Sequence, residues 1–256
     1  MKFKNNLLVL FSLFLLLSGT QPMSAQETTK VMVRAKAKDA KFIGSSIGGA
    51  RILIRDAQSG EILAEGTTAG STGDTKRIMK EPQKRGQDLS DENTAGFEAE
   101  LELEEPVFVS VEAYAPNNKR QARVLSSTQL WLLPGKDISG DGIVLEVPGF
   151  VVDLLSPQTH ERITSDKPIE IRANVVMMCG CPVTPGGIWD ADQYEVNAMI
   201  SSEGKQVREV PLKFADKTST FSVETKLEPG LYEIAVYAYD PETGNTGLDR
   251  TNIIIK

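Results

Sequence analysis

Cys179-Gly180-Cys181 brings together the only two cysteines of this 256-residue chain. Two thiols one glycine apart admit three chemistries: an oxidised bridge, a pair of thiolate ligands for a soft metal, or a dithiol that exchanges with other disulfides. A bridge across so short a spacer gains little from loop closure and needs a turned Gly180 to bring the sulfurs into range. It would be strained and comparatively easy to reduce. Two thiolates with the Met177 thioether beside them suit Cu(I), which accepts two or three ligands. Zn(II) needs further ligands, and His160 is the only histidine. An exchange centre would have no basic residue nearby in sequence to lower a thiol pKa. All three chemistries remain open at this level.

Two other groups of residues carry potential chemistry. Trp189 closes the Pro- and Gly-rich run Val183-Thr184-Pro185-Gly186-Gly187-Ile188 and precedes Asp190, Asp192 and Glu195. An exposed indole with an acidic rim would anchor a protein partner or stack on a sugar ring. Asp137-Ile138-Ser139-Gly140-Asp141-Gly142 matches the first half of a calcium loop, with oxygen donors on Asp137, Ser139 and Asp141 and glycine sixth. The bidentate acid expected twelfth is replaced by Pro148. The same residues also make an ordinary hairpin turn, since Asp and Gly tolerate unusual backbone angles. Catalysis finds less support: the chain holds no Gly-x-Ser-x-Gly elbow, phosphate-binding loop or His-Glu-x-x-His helix. The reading is of a chain that is not an enzyme. Trp131, set in Gln129-Leu130-Trp131-Leu132-Leu133, is expected to pack in a core or between domains.

Residues 1–26 have the parts of a cleaved secretory signal: Lys2 and Lys4, the apolar run Leu7–Leu17, and small residues at Ser24-Ala25. The run of 11 residues falls short of the ~20 that span a bilayer, and no later run is long enough, so no integral membrane segment is expected after cleavage. The expected address is periplasmic or secreted. The formal charge is −7, and the mature chain is more acidic by the two lysines lost. That balance argues against nucleic acid, whose phosphates demand a basic face, and against adsorption on anionic lipid.

What must position these residues is a β scaffold. Period-2 alternation dominates: Val31 to Lys38, then Phe97, Ala99, Leu101 and Leu103 between glutamates, then Ile169, Ile171, Ala173 and Val175 between polar residues. Turn-forming clusters such as Gln58-Ser59-Gly60, Pro116-Asn117-Asn118, Glu203-Gly204 and Glu242-Thr243-Gly244-Asn245 punctuate the runs. The fold class is all-β, with two consecutive antiparallel β-sandwich domains after the signal peptide: residues 27–148 and 149–256, divided at Val147-Pro148-Gly149. Residues 69–93, rich in Gly, Lys, Arg and Asp, read as a long exposed loop. If the strand from Ile169 continues past Val176, its period sets Met177, Cys179 and Cys181 on one side and Met178 on the other.

The stretch from Gly48 to Glu61, followed by Gly66-Thr67-Thr68, resembles the opening hairpin of carboxypeptidase-regulatory-like, transthyretin-like sandwich domains. Leu155-Ser156-Pro157, Ile169 to Ala173, and Pro229 to Asp240 with Gly244-Asn245-Thr246-Gly247 resemble bacterial immunoglobulin-like modules. Such modules usually act as spacers, adhesive units or substrate-presenting domains, so the resemblance implies an exported, non-catalytic binding or accessory module. It is silent on the cysteine segment, which leaves copper handling or thiol redox as the alternative function.

Overall fold

The computed structural model describes residues 27–215 and 217–256; the expected signal peptide lies outside the described residues. The first half contains β1 (Glu27–Ala37), β2 (Arg51–Asp56), β3 (Ile62–Thr67), the short helix α1 (Thr75–Met79), β4 (Phe97–Leu103), β5 (Val107–Ala115), β6 (Val124–Leu132) and β7 (Ile138–Val147). They form two sheets, in the orders β4-β1-β7 and β3-β2-β5-β6. The second half contains β8 (Phe150–Ser156), β9 (Arg162–Ile163), β10 (Ile169–Met177), β11 (Glu195–Ser202), β12 (Lys205–Pro211), β13 (Lys213–Phe214), β14 (Thr220–Thr225), β15 (Gly230–Tyr239) and β16 (Thr246–Ile255). Their sheets run β13-β14-β10-β8 and β12-β11-β15-β16-β9.

The alternation sorts each strand into a core face and a wet face. On β4, Ala99, Leu101 and Leu103 are buried while the three glutamates between and before them are exposed. On β5, Val109, Val111, Ala113 and Ala115 are fully buried. The chain is all-β, though not wholly antiparallel: β1 pairs parallel with β7, and β16 with β9. Strands of each half pair only within that half among the described residues, yet the buried apolar side chains form one contiguous cluster through both.

Residues 69–93 are largely exposed, as expected, with the short helix α1 inside them. The base of the segment is closed by bridges from Ala69 to Gly96 and from Ser71 to Thr94. Its anchor is Arg34 on β1, whose guanidinium is buried and donates to the carbonyls of Thr94 and Ala95. Burial pulls the Arg34 pKa down, while Asp141, Asp91 and Asp88 oppose that shift. Asp141 then accepts hydrogen bonds from the backbone N–H groups of Leu89 and Ser90 at 2.8 and 2.7 Å. The segment faces solvent over most of its length, and only its end at Leu89–Ala95 is held by these internal bonds.

Candidate functional site

β10 ends at Met177, and the chain reverses at once. Gly180 N–H donates to the Met177 carbonyl at 2.7 Å, and Met177 N–H donates to the Cys181 carbonyl at 3.1 Å. With Gly180 in the left-handed region at φ +77°, this is a three-residue hairpin turn closed by a glycine bulge. The one-sided arrangement expected from an uninterrupted strand is therefore corrected. Met177, Met178, Cys179 and Cys181 are all buried, because the turn folds the cysteines back over the strand end. Cys179 and Cys181 form a disulfide, with Cα atoms 5.3 Å apart, within the ordinary bridging range. Both cysteines are buried, and Met177 beside them is fully buried.

The exposed tip of the turn, Gly180, lies beside the other half of the chain. A Cβ on Gly180 would stand 3.4 Å from Ile47 Cδ1, and Ile47 sits in the short helical turn Ser45–Ile47 between β1 and β2. Trp189 follows the same logic. Its indole is 5% exposed, and its Nε1–H donates to the Asp39 carbonyl of the first half at 2.9 Å. An exposed anchor for a protein or a sugar is thus not what Trp189 provides. Its Pro- and Gly-rich loop is pinned in place, with Thr184 N–H donating to the Trp189 carbonyl and Ser219 bonding Val183 through both backbone and hydroxyl. Asp190 accepts from the N–H groups of Gly186 and Asp192, so its carboxylate holds the loop rather than a ligand. Asp192 is exposed.

Asn245 completes the joint, a role invisible in a segment that reads only as a turn. It is fully buried, accepts from Gly149 N–H at 2.9 Å and donates to the Lys38 carbonyl at 3.2 Å. One amide thereby ties the connection between halves to a strand end of the first half and to the β15–β16 turn. Lys38 Nζ returns a bond to the Thr243 carbonyl at 2.7 Å. At the side of the joint, Asp153 on β8 accepts from Lys119 Nζ and Gln121 Nε2, at 2.7 and 2.6 Å. Gly149 adopts φ +114°, and a Cβ there would stand 2.6 Å from the Thr246 carbonyl oxygen, so the close approach of this connection to the start of β16 requires glycine. Phe150 meets Tyr194 edge-on at 5.0 Å. The Tyr194 hydroxyl pKa is pushed up by burial and then by the nearby acids Asp240, Asp39, Asp190 and Glu242.

The residues of the calcium pattern are engaged with the backbone. Asp137 accepts from Lys30 N–H at 2.8 Å, and Asp141 is committed to Leu89 and Ser90. Gly140 and Gly142 take left-handed angles where β7 bulges against β1. Ser139 is exposed on that bulge. The Asp-Gly pattern is the chemistry of a bulge, and Asp137 and Asp141 are already bonded to amides. Among the described residues no group of three His, Cys, Asp or Glu is placed to hold a metal ion. His160, whose N–H donates to the Asn252 carbonyl, borders an open groove of about 450 Å³ with Glu203, Tyr232 and Asn252. No helix of the described residues is long and apolar enough to cross a membrane.

The two tryptophans exchange their expected places. Trp131, expected in a core, is 57% exposed on the outer face of β6, leaning on Phe108 at 5.2 Å between ring centres.

No family model matches the chain, and no curated protein matches it. Among solved structures, the chain is similar to an engineered protein at 18% identity, covering 49% of this chain and 24% of that one, with a TM-score of 0.33. It thus spans about a quarter of that protein's length. The fibronectin(III)-like modules of Clostridium thermocellum CbhA align at 12% identity over 90% of this chain and 94% of theirs, with a TM-score of 0.30. The chicken interferon gamma receptor alpha chain aligns at 10% identity over 90% and 98%, with a TM-score of 0.28. Similarity this distant carries no inference about activity or partner.

Proposed function

We propose that the chain is an exported, non-catalytic binding or accessory module: two β-sandwich domains, residues 27–148 and 149–256, held in a fixed mutual orientation. The observation that carries this reading is where the reactive residues go. The disulfide turn, Trp189 and Asn245 are all buried across the joint, so the chemistry legible in the sequence serves assembly. The first domain is read as carboxypeptidase-regulatory-like and the second as immunoglobulin-like. In support, the Gly48–Glu61 stretch contains β2 and its turn into β3, and the Pro229–Gly247 stretch contains β15 and the start of β16. The address is periplasmic or secreted, where an unreduced disulfide persists.

The test is intact mass and metal analysis of the protein recovered from its export compartment after alkylation under native conditions. A mature chain lacking the leader, two hydrogens light and free of metal, is the expected result. Alkylated cysteines with stoichiometric copper would overturn the reading in favour of metal handling.

A further inference from the structure

Every exposed sheet edge is a row of unpaired N–H and C=O groups that invites another strand, and proteins discourage this with charge, proline or brevity. Among the described residues, seven of the eight edge strands are defended in this way. Acidic residues stand on β3 (Glu65), β4 (three glutamates), β7 (Asp141, Glu146) and β8 (Asp153). β12 carries Lys205, Arg208, Glu209 and a terminal Pro211, while β9 and β13 are two residues long and each carries a cation. β6 is the exception: nine residues, Val-Leu-Ser-Ser-Thr-Gln-Leu-Trp-Leu, with no charge and no proline. It also places Leu125 and Trp131, with Leu133 just beyond, more than two-fifths exposed on one face.

We propose that β6 is an interface for a second copy of this chain, pairing antiparallel with its own symmetry mate about an axis at Thr128. Parity restricts the registers. Side chains alternate faces, so a continuous sheet requires residues of like facing to stand opposite each other. Of the permitted two-fold registers, the one centred on Thr128 keeps all nine residues paired. It sets Trp131 against Leu125 of the symmetry mate twice over, Leu132 against Val124, and Gln129 against Ser127. No charge meets a like charge, and the two large exposed apolar groups cover each other. A shift of the axis to Ser127 would place Arg123 opposite Trp131; a shift to Gln129 would bring in Pro134, which has no N–H to donate.

The strip is about 30 Å long and about one sheet thick, so each copy covers roughly 300 Å² at the edge, well below the ~800 Å² per partner of a standard interface. The dimer is therefore reversible and concentration-dependent. This inference does not rest on the export or joint readings.

The experiment is sedimentation velocity of the mature chain over roughly a hundredfold concentration range, with three variants. The expected result is a monomer–dimer equilibrium that Thr128→Lys weakens more than tenfold, because two like charges then face each other. Its melting temperature, taken at a concentration where both proteins are monomeric, stays at the parent value, since Thr128 is exposed. Thr128→Cys should crosslink spontaneously, as opposed Cα atoms lie about 4.5–5.5 Å apart. Ser126→Cys should not, because its two copies lie about 13 Å apart along the ribbon. A monomer at all concentrations, a dimer indifferent to Thr128→Lys, growth beyond the dimer, or equal crosslinking at both positions would overturn the proposal.

Discussion

Replacing Trp189 with Phe tests the joint at one contact. The substitution deletes the indole N–H that reaches the Asp39 carbonyl at 2.9 Å across the two halves, while keeping an aromatic ring in a site only 5% exposed. The lost hydrogen bond is worth about 1 kcal/mol, and the carbonyl left unpaired adds about 1 kcal/mol more. The smaller ring gives up roughly 40 Å² of buried apolar surface, or about 1 kcal/mol at ~25 cal/mol per Å². The expected loss is about 3 kcal/mol. With a urea dependence of 2–3 kcal/mol per molar, roughly in the upper range for small proteins, the midpoint should fall by about 1 M. Far-ultraviolet circular dichroism is the readout, because the change removes a fluorophore. Trp131→Phe is the internal control: that ring is 57% exposed, so its loss should stay within about 0.5 kcal/mol. The two single-tryptophan proteins should also divide in acrylamide quenching, with Trp189 protected and Trp131 open. A Trp189→Phe loss below about 0.5 kcal/mol, or equal quenching of the two, would refute the burial of Trp189 in the joint and the reasoning built on it.

Asn245→Ala should cost about 2–4 kcal/mol in the same urea assay, because it strands Gly149 N–H and the Lys38 carbonyl, which Asn245 now satisfies from a fully buried position. Asp141→Asn should lower stability at neutral pH by about 1–2 kcal/mol. Although burial pushes the Asp141 pKa up, the amides of Leu89 and Ser90 and the Arg34 guanidinium bring it below the ordinary carboxylate value. The stabilisation is thus complete above the unfolded pKa and is lost as pH falls through the folded one, so thermal melts of parent and variant should converge in acid. Cys179→Ala with Cys181→Ala should leave the chain folded. A bridge closing about three residues is worth about 1.5 kcal/mol in the chain-entropy account, a drop of roughly 3–6 °C in melting temperature for a chain of this size; loss of folding altogether would contradict it.

The β pattern was legible because alternation is local. The glutamates of β4 and the polar residues of β10 mark their own faces without reference to anything distant. The site was less legible because its geometry depends on partners far along the chain. Gly180 could be read as a turned residue, but not as one lying beside Ile47. The loop before Trp189 has the composition of exposed turns, and nothing nearby announces that Asp39, 150 residues earlier, supplies an acceptor. Asp137 and Asp141 matched a metal pattern because aspartate and glycine recur wherever backbone is bent and amides need acceptors. The bonds to Lys30, Leu89 and Ser90 decide between the two uses.

The exchange of roles between the tryptophans follows from the same limit and has a physical consequence. A run such as Leu130-Trp131-Leu132-Leu133 looks like core because each residue is apolar, but a strand offers the core only alternate positions. Leu132 takes the inner face at 1% exposure, which commits Trp131 to the outside. Polar residues at Ser127 and Gln129 on that outer face cover little apolar area, so the ring remains in water beside Phe108. Conversely, Trp189 is buried at the end of an exposed loop, where its indole reaches Asp39 in the first half of the chain. An exposed indole on an uncharged edge is therefore a part of this fold that its own packing leaves open, whereas the cysteines are buried. Self-association should accordingly follow substitutions on β6 rather than substitutions at the disulfide.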